Sequence, residues 1–238
     1  MKSFSGKWNP EKQSYKNACL RLSKDLSKFK VDPEYIPFVG NDTRPAETVN
    51  AFYQATKGME YVSDNDRIGS PILHNGMSAG TLRFMKVYKD ITSRFSNFKV
   101  VTEIGAGYGG QRLIFGHYTK PNPINYQIID IPESLELSKA YLKANGYDSN
   151  TKFISSENVP SIITDILISD YCLSEFDKDG IDFYLDKIKF KFGYFTLNGQ
   201  FDYIKETLEK RGYLVEIEDE NPPTSRHKNK IYYATKVK

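Results

Sequence analysis

The sequence has little of what marks a disulfide-rich, metal-cluster or membrane-spanning protein. Its 238 residues include two cysteines, Cys19 and Cys172, too few and too far apart for a disulfide framework or a cysteine metal site. No apolar run approaches the length of a membrane span, because Thr164 and Asp165 interrupt the longest one, around Ile162–Ile168. The first residues, MKSFSGKWNPEKQ, lack the apolar core of a signal peptide. We therefore expect a cytoplasmic protein in a reducing compartment.

An excess of charge of one sign is also missing. Lys and Arg number 33 against 30 Asp and Glu, and the resulting charge of +3 is too balanced to indicate a nucleic-acid binder. Hydrophobic residues make up 39% of the chain and charged residues 26%, which is typical of a globular domain. We expect a small-molecule partner, with neither nucleic acid nor membrane, and a homodimer is compatible with this composition.

The pattern of apolar residues changes near Asn97. Before it, apolar residues recur every three or four positions and predict helices, of which the first begins at Tyr15 and the third is capped by Ser78. After it, short apolar runs alternate with helical stretches, among them one around Leu185 and Ile188. The chain therefore divides into a helical N-terminal region, residues 1–96, and a second domain, residues 97–238.

Seven short runs in the second domain predict strands. They are Val100–Ile104, Tyr126–Asp130, Lys152–Ile154, Asp165–Ser169, Phe192–Leu197, Tyr213–Glu218 and Lys230–Lys236. Helices separate most of these runs, which favours parallel pairing, whereas the last two are joined without a helix and should pair antiparallel. The prediction is an α/β fold with a seven-stranded, doubly wound, mostly parallel sheet.

A glycine-rich turn follows the first predicted strand. Gly105, Ala106 and Gly107 lead the chain into a helix, and glycines are required where a ligand approaches bare backbone or where φ is positive. Asp130 ends the next strand, where a carboxylate can accept both hydroxyls of a ribose. These residues predict a nucleoside-containing ligand. The alternatives are a tight turn that serves only the fold and, for Asp130, a helix cap.

The acidic residue before the glycines indicates which nucleoside. Gly105, Gly107 and Gly110 also satisfy the dinucleotide pattern G-x-G-x-x-G, with Asp130 at about the expected interval. Glu103 stands two residues before the first glycine and would repel a pyrophosphate placed there. A carboxylate suits a cationic ligand instead, such as the ammonium and sulfonium groups of S-adenosylmethionine.

Several segments resemble a known family at this point. The stretches VVTEIGAGYGGQ, YQIIDIPESLELSKAYL and DILISDYCLSEFD, with NDRIGSP and SAGTLRF upstream, are similar to sugar O-methyltransferases among the class I S-adenosylmethionine-dependent methyltransferases. The broader likeness covers about residues 97–238. It implies a Rossmann-like methyltransferase fold, S-adenosylmethionine as cofactor, and a helical cap that forms part of the acceptor pocket. The implied acceptor is a sugar hydroxyl, on a nucleotide-linked sugar of glycan biosynthesis.

The resemblance also implies roles for the residues of the glycine turn. Gly105, Ala106 and Gly107 would cup the methionine and ribose parts of the cofactor. Glu103 would hold its amino group, directly or through water, and Asp130 would bind its ribose.

Further cofactor contacts are implied along the same edge of the sheet. Ile131 would cover the adenine, and Ser155 and Ser156 would contact its edge. Gln111 would add a polar contact to the carboxylate of the cofactor. Ser169 lies beside the cofactor crevice.

The chemistry of methyl transfer directs attention to a base. A sugar hydroxyl must lose its proton, and Asp170, at the end of the fourth strand, is our first candidate for acceptor contact or base. Glu175 is a candidate for orienting a partner, and His227, in the loop of the terminal hairpin, is the second candidate base. The alternatives are a solvated strand end for Asp170 and an exposed loop residue for His227. We assign no metal ligands, although Asp170 and Glu175 belong to an acidic cluster with Asp177 and Asp179.

Five basic residues are candidate phosphate partners for a nucleotide-linked acceptor, and the sequence does not choose among them: Arg44, Arg67, Arg83, Arg226 and Lys228.

Two rival functions stay open. One is an NAD-dependent oxidoreductase, and the other is a catalytically idle nucleoside-binding scaffold of the same fold.

Overall fold

The computed structural model describes residues 12–39, 43–224 and 228–237. The first part of the chain is helical, and short 3₁₀ helices lie at Phe29–Val31 and Ser63–Asp66. Its α-helices are α1 (Gln13–Leu22), α2 (Ile36–Val39), α3 (Ala46–Ala55) and α4 (Ala79–Arg94). Ser78 caps α4 as predicted, because its Oγ accepts a hydrogen bond of 3.1 Å from the N–H of Thr81.

Strands and helices alternate from Val100 onward. The strands are β1 (Val100–Ile104), β2 (Asn125–Asp130), β3 (Thr151–Ser155), β4 (Ile162–Asp170), β5 (Ile188–Leu197), β6 (Tyr213–Asp219) and β7 (Lys230–Lys236). The helices between them are α5 (Gly110–Tyr118), α6 (Pro132–Ala144), α7 (Cys172–Glu175), α8 (Lys178–Lys187) and α9 (Phe201–Lys210).

The strands form one seven-stranded sheet in the order β3-β2-β1-β4-β5-β7-β6. The first five pair in parallel, whereas β7 runs antiparallel to both of its neighbours. Successive residues of one strand serve opposite faces, so that Ile128 packs into one hydrophobic core and Ile129 into the other. These observations confirm the predicted doubly wound sheet and its closing hairpin.

The N-terminal helices share a hydrophobic core with one face of the sheet. Helix α1 packs on α6, and α4 packs on α3 and α5. Leu22 of α1, Leu82 of α4 and Val101 of β1 belong to the same buried cluster. Since the core is continuous across residue 97, the fold of the N-terminal region is tied to that of the sheet.

Several element boundaries differ from the sequence prediction: β4 and β5 begin three and four residues earlier than predicted, and the ends of two helical patterns also differ. The first helix ends at Leu22 although its apolar spacing continues to Phe29, because Asp25 accepts a hydrogen bond from the N–H of Ser27 and stabilises a turn. Ile188, expected in a helix, is the first residue of β5 and pairs with Ile162 of β4. Both Phe29 and Ile188 are nonetheless fully buried, as their apolar character requires.

Among the residues that the structure describes, no helix is both long enough and apolar enough to cross a membrane.

Candidate functional site

Three acidic residues meet where the parallel strands end. Glu103 is the penultimate residue of β1, Asp130 ends β2 and Asp170 ends β4. Because β2, β1 and β4 are neighbours in the sheet, these carboxylates lie along one edge, outside the carboxyl ends of the strands. Ligands of open α/β sheets bind at this edge, at the point where the strand order reverses.

The glycine turn needs its glycines for steric reasons. Gly105 has a φ of +77°, and its N–H donates a hydrogen bond of 2.9 Å to the carbonyl of Ile129. A Cβ at this position would lie 2.4 Å from the Cβ of Cys172, which is closer than van der Waals contact allows. Gly107 also has a positive φ, of +56°. The backbone therefore turns sharply, directly below the strand edge, with Ala106 buried between the two glycines.

The carboxylate of Asp130 is tied to the backbone of this turn. Its Oδ2 accepts a hydrogen bond of 3.0 Å from the N–H of Gly107, and its Oδ1 accepts one of 2.8 Å from the N–H of Ile131. The N-cap of α6 is Ile131, and the side chain of Asp130 accepts its hydrogen bond from the N–H of that residue rather than from the first turn of the helix. Asp130 is therefore not the N-cap residue of α6. Burial raises the pKa of Asp130 to about 6, against the effect of both hydrogen bonds.

The serines predicted near the adenine follow β3, the neighbouring strand. Ser155 stands directly opposite Asp130 in the parallel register. The N–H of Ser156 donates a hydrogen bond of 2.8 Å to the carbonyl of Asp130. Ile131, the residue expected over the adenine, is buried beside them. The structure thus brings these predicted contacts to one end of the site.

Glu103 is the most strongly buried of the three acids, with 3% of its surface exposed. Its Oε2 accepts a hydrogen bond of 2.8 Å from the hydroxyl of Tyr126 on β2. Burial raises the pKa of Glu103 to about 7, with Asp130 pushing in the same direction, while Tyr126 and the charge of Arg83 oppose the rise. A cationic group bound beside Glu103 would relieve the cost of this buried negative charge.

Asp170 forms an ion pair with Arg83 of α4, and about nine-tenths of each side chain is buried. The guanidinium of Arg83 lies 4.8 Å from the ring centre of Phe84 and 5.8 Å from that of Tyr171. From the sequence, Arg83 was only one of five candidate phosphate partners. Its position could have indicated a functional role, because Arg83 is the single charged residue in AGTLRFM, the first two turns of α4.

The backbone is strained immediately after Asp170. Tyr171 has a φ of +69°, which is unusual for a residue with a large side chain. Its hydroxyl contacts both Glu220 and Thr224, in the segment between β6 and β7. Residues 220–224 are thereby held against the end of β4.

A small cavity adjoins Asp170 between α4, the ends of β4 and β5, and the β6–β7 segment. Its polar lining consists of Arg83, Lys86, Asp170, Tyr194, Thr196 and Glu220. Lys86 forms an ion pair with Asp90, which also accepts a hydrogen bond of 3.1 Å from the Tyr194 hydroxyl. The cavity is therefore rich in both donors and acceptors.

Three other predicted residues use their polar groups within the protein. The side chain of Gln111 donates a hydrogen bond of 3.1 Å to the Phe84 carbonyl. Ser169 is fully buried, and its Oγ accepts a hydrogen bond of 2.8 Å from the N–H of Leu173 at the start of α7. Glu175 accepts one of 2.6 Å from the side chain of Asn198, and burial raises its pKa.

His227 and Arg226 lie outside the described residues. Among the residues that are described, no three His, Cys, Asp or Glu side chains come together in a way that could hold a metal ion. Asp177, part of the acidic cluster in the sequence, caps α8 by accepting a hydrogen bond of 2.8 Å from the N–H of Gly180.

Two larger clefts lie elsewhere in the part of the molecule that the structure describes. Clefts of about 320 and 300 Å³ open at the amino ends of the parallel strands, one beside Ile163 and Lys189 and the other beside Arg112 and Tyr147. Neither contains a residue of the glycine turn or any of the three acids. The candidate site therefore rests on its chemistry and its place in the sheet rather than on cavity size.

No model of a known protein family matches the chain, and a search of curated proteins finds no match. Solved structures do match. A proposed RNA methyltransferase of Pyrococcus horikoshii superposes with a TM-score of 0.51 at 12% identity, covering 82% of this chain and 100% of that one. An O-methyltransferase family protein of Burkholderia thailandensis gives 0.50 at 10% identity, covering 80% and 68%. The tRNA methyltransferase TrmK of B. subtilis gives 0.50 at 13%, covering 65% of each chain.

The chain shares the fold of these solved structures. At identities of 10 to 13% the likeness extends to the fold and not to the activity or the substrate. The strand order and the reversed β7 match the Rossmann-like methyltransferase fold that the sequence predicts.

Proposed function

We propose that the protein is an S-adenosylmethionine-dependent methyltransferase that methylates a sugar hydroxyl, on a nucleotide-linked sugar used in glycan biosynthesis. The observation that carries the cofactor assignment is the buried carboxylate of Glu103 beside a glycine turn. A buried carboxylate calls for a cation, and the pKa of about 7 reflects how poorly the protein itself satisfies that need.

The residues at the strand edge fit this cofactor. Glu103 would accept hydrogen bonds from its ammonium group, and Asp130 would accept them from its ribose hydroxyls. Ile131 and Ser155 would line the adenine end of the cofactor. The turn at Gly105 would lie against the part of the cofactor between its ammonium group and its ribose. When bound, the cofactor supplies a methyl group on a positively charged sulfonium.

The small cavity beside Asp170 supports a polar acceptor. Carboxylates, ammonium and guanidinium groups and hydroxyls line it, which is the chemistry that a sugar with several hydroxyl groups requires. Its volume of about 10 Å³ is room for one water molecule, so the lining would have to open to admit a sugar. Asp170 Oδ2 pairs with Arg83, and its Oδ1 would orient the acceptor hydroxyl and accept its proton. Glu175, bonded to Asn198, would support this wall, and His227 is the second candidate base.

A dinucleotide is the competing ligand for the same turn. A pyrophosphate at the start of α5 would face the buried Glu103, which argues against an NAD-dependent oxidoreductase. Calorimetry with S-adenosylmethionine, S-adenosylhomocysteine and NADH separates the two functions. Binding of NADH, or of none of the three ligands, would overturn the proposed cofactor.

A turnover assay then tests the acceptor. The purified protein is incubated with S-adenosylmethionine and either a panel of nucleotide sugars or tRNA transcripts, and formation of S-adenosylhomocysteine is measured. We expect turnover with one or more nucleotide sugars. Turnover with tRNA alone would replace the sugar by a nucleic acid, and binding without turnover on any acceptor would favour the idle scaffold.

The cellular setting follows from the same proposal. Nucleotide-linked sugars and S-adenosylmethionine are cytoplasmic metabolites, so we propose that the protein acts in the cytoplasm. Both cysteines are free in the structure, which agrees with a reducing compartment.

A further inference from the structure

We propose that Arg83, from the helical N-terminal region, binds the carboxylate of the cofactor's methionine tail. The inference rests on the proposed function and deepens it, because it adds a binding residue from a part of the chain assigned only to the acceptor pocket. Three features of the molecule support it: the hydrogen-bond donors at the strand edge, the geometry of Arg83 and the balance of charge.

The first feature is the set of donors that a carboxylate would need. The N–H groups of Gly105, Gly107 and Gly109 all donate hydrogen bonds to oxygen atoms of the protein itself. The amide of Gln111, the residue first expected to contact this carboxylate, is buried and donates to a backbone carbonyl. Arg83 pairs with Asp170, which lies two residues beyond the β4 residue that pairs with Glu103, and its positive charge opposes the rise in the pKa of Glu103.

The second feature is the geometry of Arg83. A guanidinium is planar and carries five N–H donors, so that it can bind two carboxylates at once. One nitrogen of the Arg83 guanidinium contacts Asp170, and the guanidinium lies over the rings of Phe84 and Tyr171. These contacts hold the guanidinium at the end of β4, the strand next to β1, and so on the side of the sheet edge where the tail of a cofactor bound by Glu103 would lie.

The third feature is the balance of charge. Glu103, Asp130 and Asp170, when ionised, bring three negative charges and Arg83 one positive charge, so that the cluster has a net charge of −2. The cofactor carries an ammonium, a sulfonium and a carboxylate, with a net charge of +1. The cluster and the ligand are therefore opposite in sign, and the ammonium beside Glu103 and the carboxylate beside Arg83 would each meet a group of opposite charge, which lowers the cost of burying them.

The test removes the interacting group from each partner in turn. Binding of S-adenosylmethionine and of decarboxylated S-adenosylmethionine is measured by calorimetry for the natural protein and for Arg83→Met. We expect Arg83→Met to weaken S-adenosylmethionine about tenfold or more, the loss of one charge-assisted hydrogen-bonded pair, and to change the decarboxylated analogue less than about threefold. Arg83→Lys should restore part of the affinity for S-adenosylmethionine alone.

Two further variants control for folding. Arg94→Met makes the same change at the far end of α4, where Arg94 pairs with Glu216 and Glu218, and should leave both affinities unchanged. If Arg83→Met leaves Asp170 as a buried unpaired charge and fails to fold, the double variant Arg83→Met with Asp170→Asn removes that charge, and the two ligands are compared in it.

The outcomes separate the inference from the function on which it rests. Equal weakening of both ligands would mean that Arg83 acts through the fold, and unchanged affinity would assign it to the acceptor instead. Either result overturns the inference and leaves the methyltransferase proposal standing. A natural protein that binds neither ligand, nor 5′-methylthioadenosine, would instead refute the cofactor itself.

Discussion

Replacing Glu103 by Gln should stabilise the protein in a pH-dependent way while it weakens the cofactor site. Glu103 has a pKa of about 7 in the folded protein against a usual value of 4.5, because burial penalises its charge. The folded state therefore holds this proton more tightly than the unfolded state does between pH 4.5 and 7. The stability that the protonated side chain contributes is present at low pH and is lost as the pH rises through 7.

The size of the effect follows from the two pKa values. Between pH 5 and pH 8 the linkage relation gives a loss of about 2.5 kcal/mol from the free energy of unfolding of the natural protein. The amide introduced by Glu103→Gln does not titrate, so the variant lacks this loss. Any cost of fitting the amide beside Tyr126 is the same at both pH values, and it cancels when the difference between variant and natural protein is compared across pH.

Urea unfolding at pH 5 and pH 8 measures this quantity. We expect the stability of Glu103→Gln relative to the natural protein to rise by about 2.5 kcal/mol from the lower to the higher pH. Glu136→Gln, an exposed change on α6, should show no such rise. A rise below about 0.5 kcal/mol would refute the reasoning, since the buried carboxylate would then ionise as easily as an exposed one, and the argument for a cationic ligand would lose its basis.

Three further predictions test the site and its support. Gly105→Ala should lower the free energy of unfolding by more than about 2 kcal/mol, since a Cβ there meets Cys172 at a positive φ; Cys172→Gly should recover only part of the loss, and full recovery would contradict the backbone strain. Lys30→Met should cost about 3–5 kcal/mol in thermal or urea unfolding, because Lys30 is fully buried 3.8 Å from Asp66; a cost near zero would mean that the pair is not needed. Asp130→Ala should weaken S-adenosylmethionine about tenfold in calorimetry, and an unchanged affinity in a folded variant would remove its ribose role.

The fold could be predicted from local features of the chain. Short apolar runs such as Val100–Ile104 can be buried only as central strands, and the missing helix between β6 and β7 leaves antiparallel pairing as the short connection. The glycine turn could be predicted for the same reason, because positive φ at Gly105 is a local backbone requirement. Element ends were less certain where an apolar pattern outlasted its helix, as it did between Leu22 and Phe29.

The residues of the candidate site also fall into those that the sequence predicts and those that only the tertiary structure reveals. The order of residues by itself determined the acids Glu103 and Asp130 at successive strand ends, because parallel strands bring their carboxyl ends to one edge whatever the rest of the chain does. Only the tertiary structure decided that Arg83 pairs with Asp170. It also decided that the side chains of Gln111 and Ser169 form hydrogen bonds with the protein backbone. Those pairings join residues far apart in the chain, and they depend on how α4 packs against the sheet, which no local pattern records.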